Sequence, residues 1–471
     1  MTLTVKEIAA LCGGTVHGDE NAVVTSAVTD SRCAVKGSMF VALKGERTDG
    51  NKYLESAVEL GAACVLSQRV SAVGTSIVVD DPLKALQTLA YNYKKRFSPK
   101  VFAVTGSVGK TTTKEFVYSV LSAGAVTQKS LGNYNSIIGL PLTVLQMQEG
   151  VEAMVFEMGM SGFHEIETMS KIAEPDVAVI TNIGTSHMEI LGSRENILKA
   201  KLEITEGMKK DGTLILNGDD RLLWGAREEV KKKCRVIYYA LYNEEADYFI
   251  ENPRFPSGTL SFDLKKPDGE TVRGITAPTV GMHNVYNAAA AYICGELYGM
   301  NEESIKRGVA AFENTGMRQK IYKKGDITIL CDCYNAAPES MKASLSTLRM
   351  LVRENGGRTH ALLGEMKELG ADSAAMHRDV GAAAVTLGLN YLYTYGEAAK
   401  EYAAGARING MNEDNIVCFE DGASFEEAAK VIYGRCRKND VVMFKASRAV
   451  GLEGAVEALE KLIDGGKRDD G

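Results

Sequence analysis

Eight residues restrict this chain more than any others. Thr105-Gly106-Ser107-Val108-Gly109-Lys110-Thr111-Thr112 follows the apolar run Val101–Val104 and precedes a segment of helical pattern. A strand that turns through glycines into a helix start is the setting of a phosphate-binding loop. Glycines allow backbone N–H groups to point at phosphate oxygens, and the helix N-terminus adds positive potential. In such a loop Lys110 reaches the outer phosphates and the Thr111 hydroxyl meets Mg²⁺. The longer spacing common in such loops places Gly at position 104; this chain has Val104 and the shorter pattern G-x-x-G-K-T. No Asn-Lys-x-Asp element is present to read a guanine edge, so ATP is expected rather than GTP.

The chain around the loop is long enough for about three domains of ordinary size. Residues 1–97 mix short apolar runs (Ser38–Leu43, Ala62–Leu66, Ser76–Val79) with helical patches at Tyr53–Leu60 and Pro82–Lys95. The polar stretch Lys94–Lys100 reads as a linker. Residues 98–315 alternate apolar runs (Val101–Val104, Ala153–Phe156, Val177–Thr181, Thr213–Leu216) with helical patterns, which predicts a parallel sheet with crossovers. Residues 236–276 break that rhythm and read as antiparallel strands, with Asp268-Gly269 as a hairpin turn; a helix over Asn284–Tyr298 closes the zone. Residues 316–471 alternate again, with strands expected at Ile327–Asp332, Thr359–Leu363, Tyr391–Tyr395, Ile416–Phe419 and Val441–Phe444, giving a second doubly wound sheet. The expected class is α/β in three domains: a small α/β N-terminal domain, a central P-loop ATPase domain with a parallel sheet, and a C-terminal Rossmann-like domain.

Composition narrows the function. Lys+Arg 54 against Asp+Glu 61 leaves a net charge of −7, which speaks against a general nucleic-acid binder. No apolar run is long enough to span a bilayer. Met1–Gly14 carries Lys6 and Glu7 and does not read as a signal peptide. Nine scattered cysteines are expected to be reduced thiols in a cytoplasmic protein, with Cys331 and Cys333 at alternate strand positions.

Three further residues carry possible chemistry. Glu157 ends the apolar run Ala153–Phe156, and carboxylates at the C-terminal ends of parallel strands face the nucleotide crevice. Its oxygens suit Mg²⁺, although a plain strand-end surface Glu is the alternative. His187, after the run ending at Thr181, reads equally as a ligand or as a structural residue. Lys201 lies in Asn196–Glu206, rich in Lys and Glu, and taken alone reads as part of a solvated helix face.

Taken together, several segments resemble the Mur ligases, ATP-dependent amide-bond-forming enzymes of peptidoglycan synthesis. They are Thr105–Thr112, Gly132-Asn133-Tyr134-Asn135-Ser136-Ile137-Ile138-Gly139-Leu140-Pro141, Glu157-Met158-Gly159, His187, Ala200-Lys201, Gly281–Ala289 and Asp332–Met341. The resemblance runs through all three zones. Thr29-Asp30-Ser31-Arg32, Phe40–Gly50 and Leu363–Gly370 with His377 are most similar to the branch that joins D-Ala-D-Ala to UDP-N-acetylmuramoyl-tripeptide. Ser136 departs from that branch, where a second Asn is expected.

The resemblance implies roles residue by residue. Lys110 would bind the β- and γ-phosphates; Thr111, Glu157 and His187 would surround two Mg²⁺ sites; Lys201 would be carbamylated and serve as a metal ligand. Asn284 and Asn287 would meet the adenine, Arg318 the phosphates and Asp332 the ribose. Ser31, Arg32 and the loop Lys44–Gly50 (Lys44, Gly45, Thr48, Asp49) would hold the UDP-sugar. Asn133 and Asn135 would contact substrate, and Asn335, Ser447 and Arg448 would lie near the incoming dipeptide. A hinge near Asn314–Gly316 and a monomer are expected. The alternatives are a neighbouring ligase adding a single residue, a folylpolyglutamate synthetase, or a P-loop ATPase that makes no bond.

Overall fold

The computed structural model describes residues 1–45, 48–314, 316 and 318–466. Glu46 and Arg47 of the expected sugar-binding loop, Thr315 at the expected boundary and hinge, and the last five residues lie outside that range.

The first sheet forms where short β-branched and apolar runs alternate with turns. β1 (Leu3–Thr4) pairs with β3 (Val23–Val24) as a two-stranded ribbon. β2 (Thr15–His17), β4 (Ser26–Val28), β5 (Ser38–Val41), β6 (Cys64–Ser67) and β7 (Ser76–Val78) form a sheet ordered β2-β7-β6-β5-β4, parallel except at β2–β7. The helix Pro82–Lys94 starts where the Asp81 carboxylate accepts from the Leu83 and Lys84 amides and Pro82 occupies the first position. Its buried face carries Leu86, Leu89, Ala90 and Tyr93.

The Lys94–Lys100 stretch is a tie rather than a free linker. Lys94 is buried, and its ammonium donates to the Ala173 carbonyl at 2.5 Å and to Glu174 at 2.9 Å. A lysine stem can be buried when its head finds a carbonyl and a carboxylate. Lys100 already belongs to the next strand.

The middle sheet has nine strands. β8 (Lys100–Thr105), β9 (Thr127–Lys129), β10 (Ala153–Glu157), β11 (Val177–Ile180), β12 (Thr213–Asn217), β13 (Arg235–Ala240), β14 (Tyr248–Arg254), β15 (Leu260–Lys265) and β16 (Thr271–Ala277) run in the order β16-β15-β14-β13-β12-β11-β8-β10-β9. β14–β15 and β15–β16 are antiparallel, the latter across the expected Asp268-Gly269 turn. β13, however, pairs parallel with both β12 and β14. The expectation of antiparallel strands over 236–276 therefore fails at its start, because the buried Ile237–Ala240 run extends the parallel sheet.

The last sheet joins β17 (Lys320–Lys324), β18 (Ile327–Asp332), β19 (Thr359–Gly364), β20 (Tyr391–Tyr395), β21 (Ile416–Phe419) and β22 (Val441–Lys445) in the order β17-β18-β22-β19-β20-β21. Only β17 is antiparallel to its neighbour. Alternate residues feed two cores: Leu330, Leu363 and Met443 on one face, Ile329, Leu362 and Phe444 on the other. The first and middle sheets instead share one continuous core, which contains Leu86, Leu89, Val101, Phe156 and Ile180. Among the described residues no helix is long and apolar enough to cross a membrane.

Candidate active site

The phosphate loop is shaped by two glycines. At Gly106, with φ 148°, a Cβ would lie 1.9 Å from the Thr181 hydroxyl. Gly109, with φ 88°, occupies the left-handed region just before the helix Lys110–Ser122. The first turn of that helix leaves the amides of Lys110, Thr111 and Thr112 without intrahelical carbonyls. The amides of Ser107 and Val108 are already taken, by the Asn182 carbonyl and side chain at 3.0 Å each. The Ser107 hydroxyl is buried with no hydrogen-bond partner among the described residues. An orphaned donor inside a Gly-rich loop fits a phosphate oxygen. Lys110 folds back on its own loop, donating to the Gly106 carbonyl at 2.8 Å. Burial holds its ammonium below the usual lysine range, against the pull of Glu157.

Beside the loop lies a buried carboxylate. Glu157, 2% exposed, accepts from the Thr111 hydroxyl at 2.7 Å and the Asn135 amide at 2.8 Å. The parallel register sets Glu157 opposite Val104, one step before the loop. Two hard oxygens held together in this way suit Mg²⁺. A residue outside the sequence reading, Lys114, stands behind them. It is buried, donates to the Ser130 carbonyl at 3.0 Å, pairs with Glu115 at 3.0 Å, and lies 4.0 Å from Glu157. It follows the loop on the same helix, one turn beyond Lys110, a spacing that could have pointed to it.

The Thr181–His187 segment runs against the same loop. The Thr181 hydroxyl and the Asn182 amide both donate to the Val108 carbonyl, at 2.6 and 2.9 Å. This carries His187 to the cavity, where its Nδ1 lies 3.0 Å from Glu368, in the loop that follows β19 of the last sheet. That hydrogen bond holds the Glu368 carboxyl below its ordinary range. Lys201, 1% exposed, is no part of a solvated face. Burial, reinforced by repulsion from Lys110, lowers its pKa well below that of a free lysine.

The last sheet supplies the opposite wall. The register pairs Asp332 with Lys445 across β18 and β22, and the Lys445 ammonium donates to Asp332 at 2.5 Å. The Ser344 hydroxyl at 2.7 Å and the Gln319 amide at 3.3 Å complete the set. Burial alone would raise the Asp332 pKa; Lys445 and these donors outweigh it and hold the carboxyl below its ordinary range. Lys445 lies outside the sequence reading; it ends the apolar run Val441–Phe444 as Glu157 ends Ala153–Phe156, so the same strand-end signal could have pointed to it. Arg318 lies over the Tyr334 ring, 4.0 Å from its centroid.

Both walls line one cavity of about 330 Å³, which brings together Ser107–Lys110, Thr112, Asn135, Glu157, His187, Asn287, Arg318, Asp332 and Asn335. Other expected residues lie elsewhere. Asn284 is buried, with its amide donating to the Val280 carbonyl at 2.8 Å, and Asn287 donates to it at 3.0 Å. Ser447 accepts from the Lys367 amide at 3.0 Å, and Arg448 pairs with Glu453 at 3.0 Å. Asn133 is exposed outside the cavity lining. In the first sheet, the Arg32 guanidinium pairs with Asp30 at 2.6 Å with its side chain 87% exposed, and Ser31 begins a short helical turn beside it. The backbones of Lys44 and Asp49 form an isolated antiparallel bridge, and the Gly45 amide donates to the Thr48 carbonyl at 2.8 Å.

Comparison with known proteins places this architecture. Family models match along the chain: Mur ligase family, catalytic domain, at residues 23–94; Mur ligase middle domain at 104–295; and Mur ligase, glutamate ligase domain, at 317–448. The UDP-N-acetylmuramoyl-tripeptide–D-alanyl-D-alanine ligase of Bacillus subtilis (strain 168) is 38% identical over 97% of this chain and 98% of its own. The crystal structure of MurF from Acinetobacter baumannii superposes with a TM-score of 0.88 at 29% identity, covering 98% of this chain and 99% of that one. MurF ligase from Thermotoga maritima, solved in complex with ADP, gives 0.83 at 29% identity over 94% and 99%. The chain belongs to the Mur ligase family.

Proposed function

We propose that this protein is an ATP-dependent ligase that joins D-alanyl-D-alanine to UDP-N-acetylmuramoyl-tripeptide, releasing ADP and phosphate, in peptidoglycan synthesis. The observation that carries the reading is the end-to-end match, at 38% identity, with a ligase named for that reaction. The cavity geometry explains how such a reaction can run here.

A carboxylate does not condense with an amine at neutral pH because its oxygen leaves poorly. ATP, bound as substrate, supplies the phosphoryl group that turns the acceptor's carboxylate into an acyl phosphate; the neutral amine then attacks its carbonyl carbon, forming the amide and releasing phosphate and a proton. Phosphoryl transfer needs mainly alignment and charge neutralisation. In this reading Gly106–Thr112 hold the phosphates by their free amides and the Ser107 hydroxyl, and Lys110 swings from its own loop to the outer phosphates. Arg318 approaches from the opposite wall, Asp332 takes the ribose and Asn287 the adenine side. Thr111 and Glu157, with His187 nearby, are the residues to hold Mg²⁺ at two positions. Bound Mg²⁺ neutralises charge on the β- and γ-phosphates.

Lys201 is read as a carbamate. Burial and repulsion from Lys110 disfavour the charged amine, and a neutral amine is the form that adds CO₂. The product is a carboxylate-like group suited to a hard cation. The UDP-sugar is assigned to Ser31, Arg32, Lys44, Gly45, Thr48 and Asp49, and the acceptor peptide to Asn133 and Asn135. Three units, 1–97, 98–315 and 316–471, close around the cavity of a monomer. The contacts Thr185–Glu339 at 3.2 Å and His187–Glu368 at 3.0 Å support such closure. Closure excludes the water that would hydrolyse an acyl phosphate.

The test is incubation of the purified protein with ATP, Mg²⁺, UDP-N-acetylmuramoyl-tripeptide carrying ¹⁸O in its reacting carboxyl, and D-Ala-D-Ala. Mass spectrometry should find the pentapeptide product and one ¹⁸O in the released phosphate. Product without label in phosphate sinks the acyl-phosphate route; ATP hydrolysis without product sinks the ligase.

A further inference from the structure

Glu368, in the loop that follows β19, reaches across to the phosphate-loop wall through an ion pair with His187. Its charge and that of Lys110 act on one another. The carboxylate is nonetheless 63% exposed, so it is held at one edge and open at the other.

The open edge faces a second cavity, of about 710 Å³, lined by Met188, Glu189 and the segment Glu365–Ser373. His187 lines the first cavity and Met188 the second, so the two spaces meet at the His187–Glu368 pair. The segment that carries Glu368 is pinned on both sides of it. The Met366 amide donates to His377 at 3.1 Å, the Lys367 amide donates to Ser447 at 3.0 Å, and Gly370 lies against Glu189. Glu368 itself sits at φ 65°, a conformation that a non-glycine residue keeps only when its surroundings impose it. The Lys367 ammonium is engaged by Glu365, which also accepts from the Ala398 amide at 2.9 Å, so neither neutralises Glu368.

The reaction proposed above requires two chemically opposite substrates to meet. The nucleotide and the UDP-linked acceptor are anions, and the first cavity offers them Lys110 and Arg318. The incoming dipeptide presents an ammonium group, which needs an anionic partner close to the acyl carbon but outside the phosphate cradle. Among the described residues along the second cavity, Glu368 is the charged group whose side chain pairs with a side chain of the first, whereas Met188 joins the two through the backbone.

We propose that the second cavity admits the incoming amine substrate and that Glu368 grips its ammonium group, exchanging His187 for the substrate and so aiming the nitrogen into the first cavity. This inference rests on the ligase reading above and names a specificity residue for it. His187, released by the exchange, becomes available to the phosphate side of the site.

The experiment uses the full chain and its E368Q and E368D variants. The amide of E368Q keeps the shape and a hydrogen bond to His187 but carries no charge. Losing a charged hydrogen bond predicts that E368Q raises the KM for D-Ala-D-Ala about tenfold. The KM for ATP should stay within about twofold in the same preparation, and E368D should restore part of the lost affinity. A second readout separates charge recognition from mere closure. The hydroxy analogue, in which –OH replaces the dipeptide's amine, is measured as a competitive inhibitor. The wild type should prefer dipeptide over analogue, and E368Q should lose that preference by the same factor as its KM rises. Equal weakening of both ligands means that Glu368 only holds the cleft shut and overturns the proposal, as does an unchanged dipeptide KM. Failure of the wild type to ligate at all would instead remove the parent reading.

Discussion

The phosphate-loop wall and the first-sheet loop are both assigned to anionic substrates, yet they are built in opposite ways. Around Glu157 the polar groups are buried and bonded to one another before any ligand is considered: Thr111, Asn135 and Lys114 all converge on one carboxylate. Around Arg32 and Lys44 the charges are exposed: the Arg32 guanidinium is held by Asp30 two residues away, and Lys44 sits on a loop closed by a backbone bridge to Asp49. The first arrangement suits a step in which charge develops and must meet fixed dipoles. The second suits recognition, where exposed long side chains adapt at little cost to stability. A dry wall is therefore expected to fail sharply when altered, and a wet loop gradually.

The contrast breaks most visibly at Lys201. Lys201→Ala should lower ligation by about a thousandfold or more, the scale of losing a preorganised transition-state contact. Short carboxylic acids added to the variant should restore part of it by standing in for the proposed carbamate. Full activity of the bare variant in a steady-state assay would remove the carbamate, and with it the sharp end of the comparison.

Next comes the opposite wall. Lys445→Met leaves Asp332 buried and unpaired, which should cost about 3–5 kcal/mol in denaturant unfolding. The same pair gives a pH signature. Asp332 is held below its ordinary carboxylate range, so its contribution is present at neutral pH and fades as pH falls through the lowered folded value. Unfolding followed from neutral to acid pH should show wild type and variant converging as Asp332 protonates.

Thr111→Val removes one hydrogen bond to Glu157 and should cost about 1–3 kcal/mol, read as weaker Mg²⁺-dependent ATP binding by calorimetry. The smallest effect is expected in the wet loop. Arg32→Ala should leave the denaturant-unfolding midpoint essentially unchanged, because the side chain is exposed. It should raise the KM for the UDP-substrate while leaving that for ATP alone. A large loss of stability would show that the exposed loop is more tightly built than its bonds indicate.

Much of this was legible in the chain before folding, for identifiable reasons. Ile327–Asp332, Tyr391–Tyr395 and Ile416–Phe419 are strands with the expected limits, because uninterrupted apolar runs bounded by polar turns carry their own periodicity. The phosphate loop was readable for a similar reason: a strand, two glycines and a helix start are all local. Lys201 illustrates the opposite case. Its Lys- and Glu-rich neighbourhood reads as solvated, and nothing within a few residues announces that the packed middle domain will cover it. Ser447 likewise met a partner that no spacing could foretell, the Lys367 amide from a distant segment, whereas Asn284 and Arg448 are engaged by the near neighbours Val280 and Glu453.

What the sequence determined by itself, then, was the phosphate loop, most strand positions and the metal-suited oxygens of Thr111 and Glu157. All of these follow from backbone preferences and burial periods that act over a handful of residues. Tertiary structure alone decided that Lys445 faces Asp332, that Glu368 meets His187 and that Lys201 is stripped of water. Each depends on segments tens to hundreds of residues apart arriving side by side, and desolvation belongs to the packed neighbours rather than to the residue.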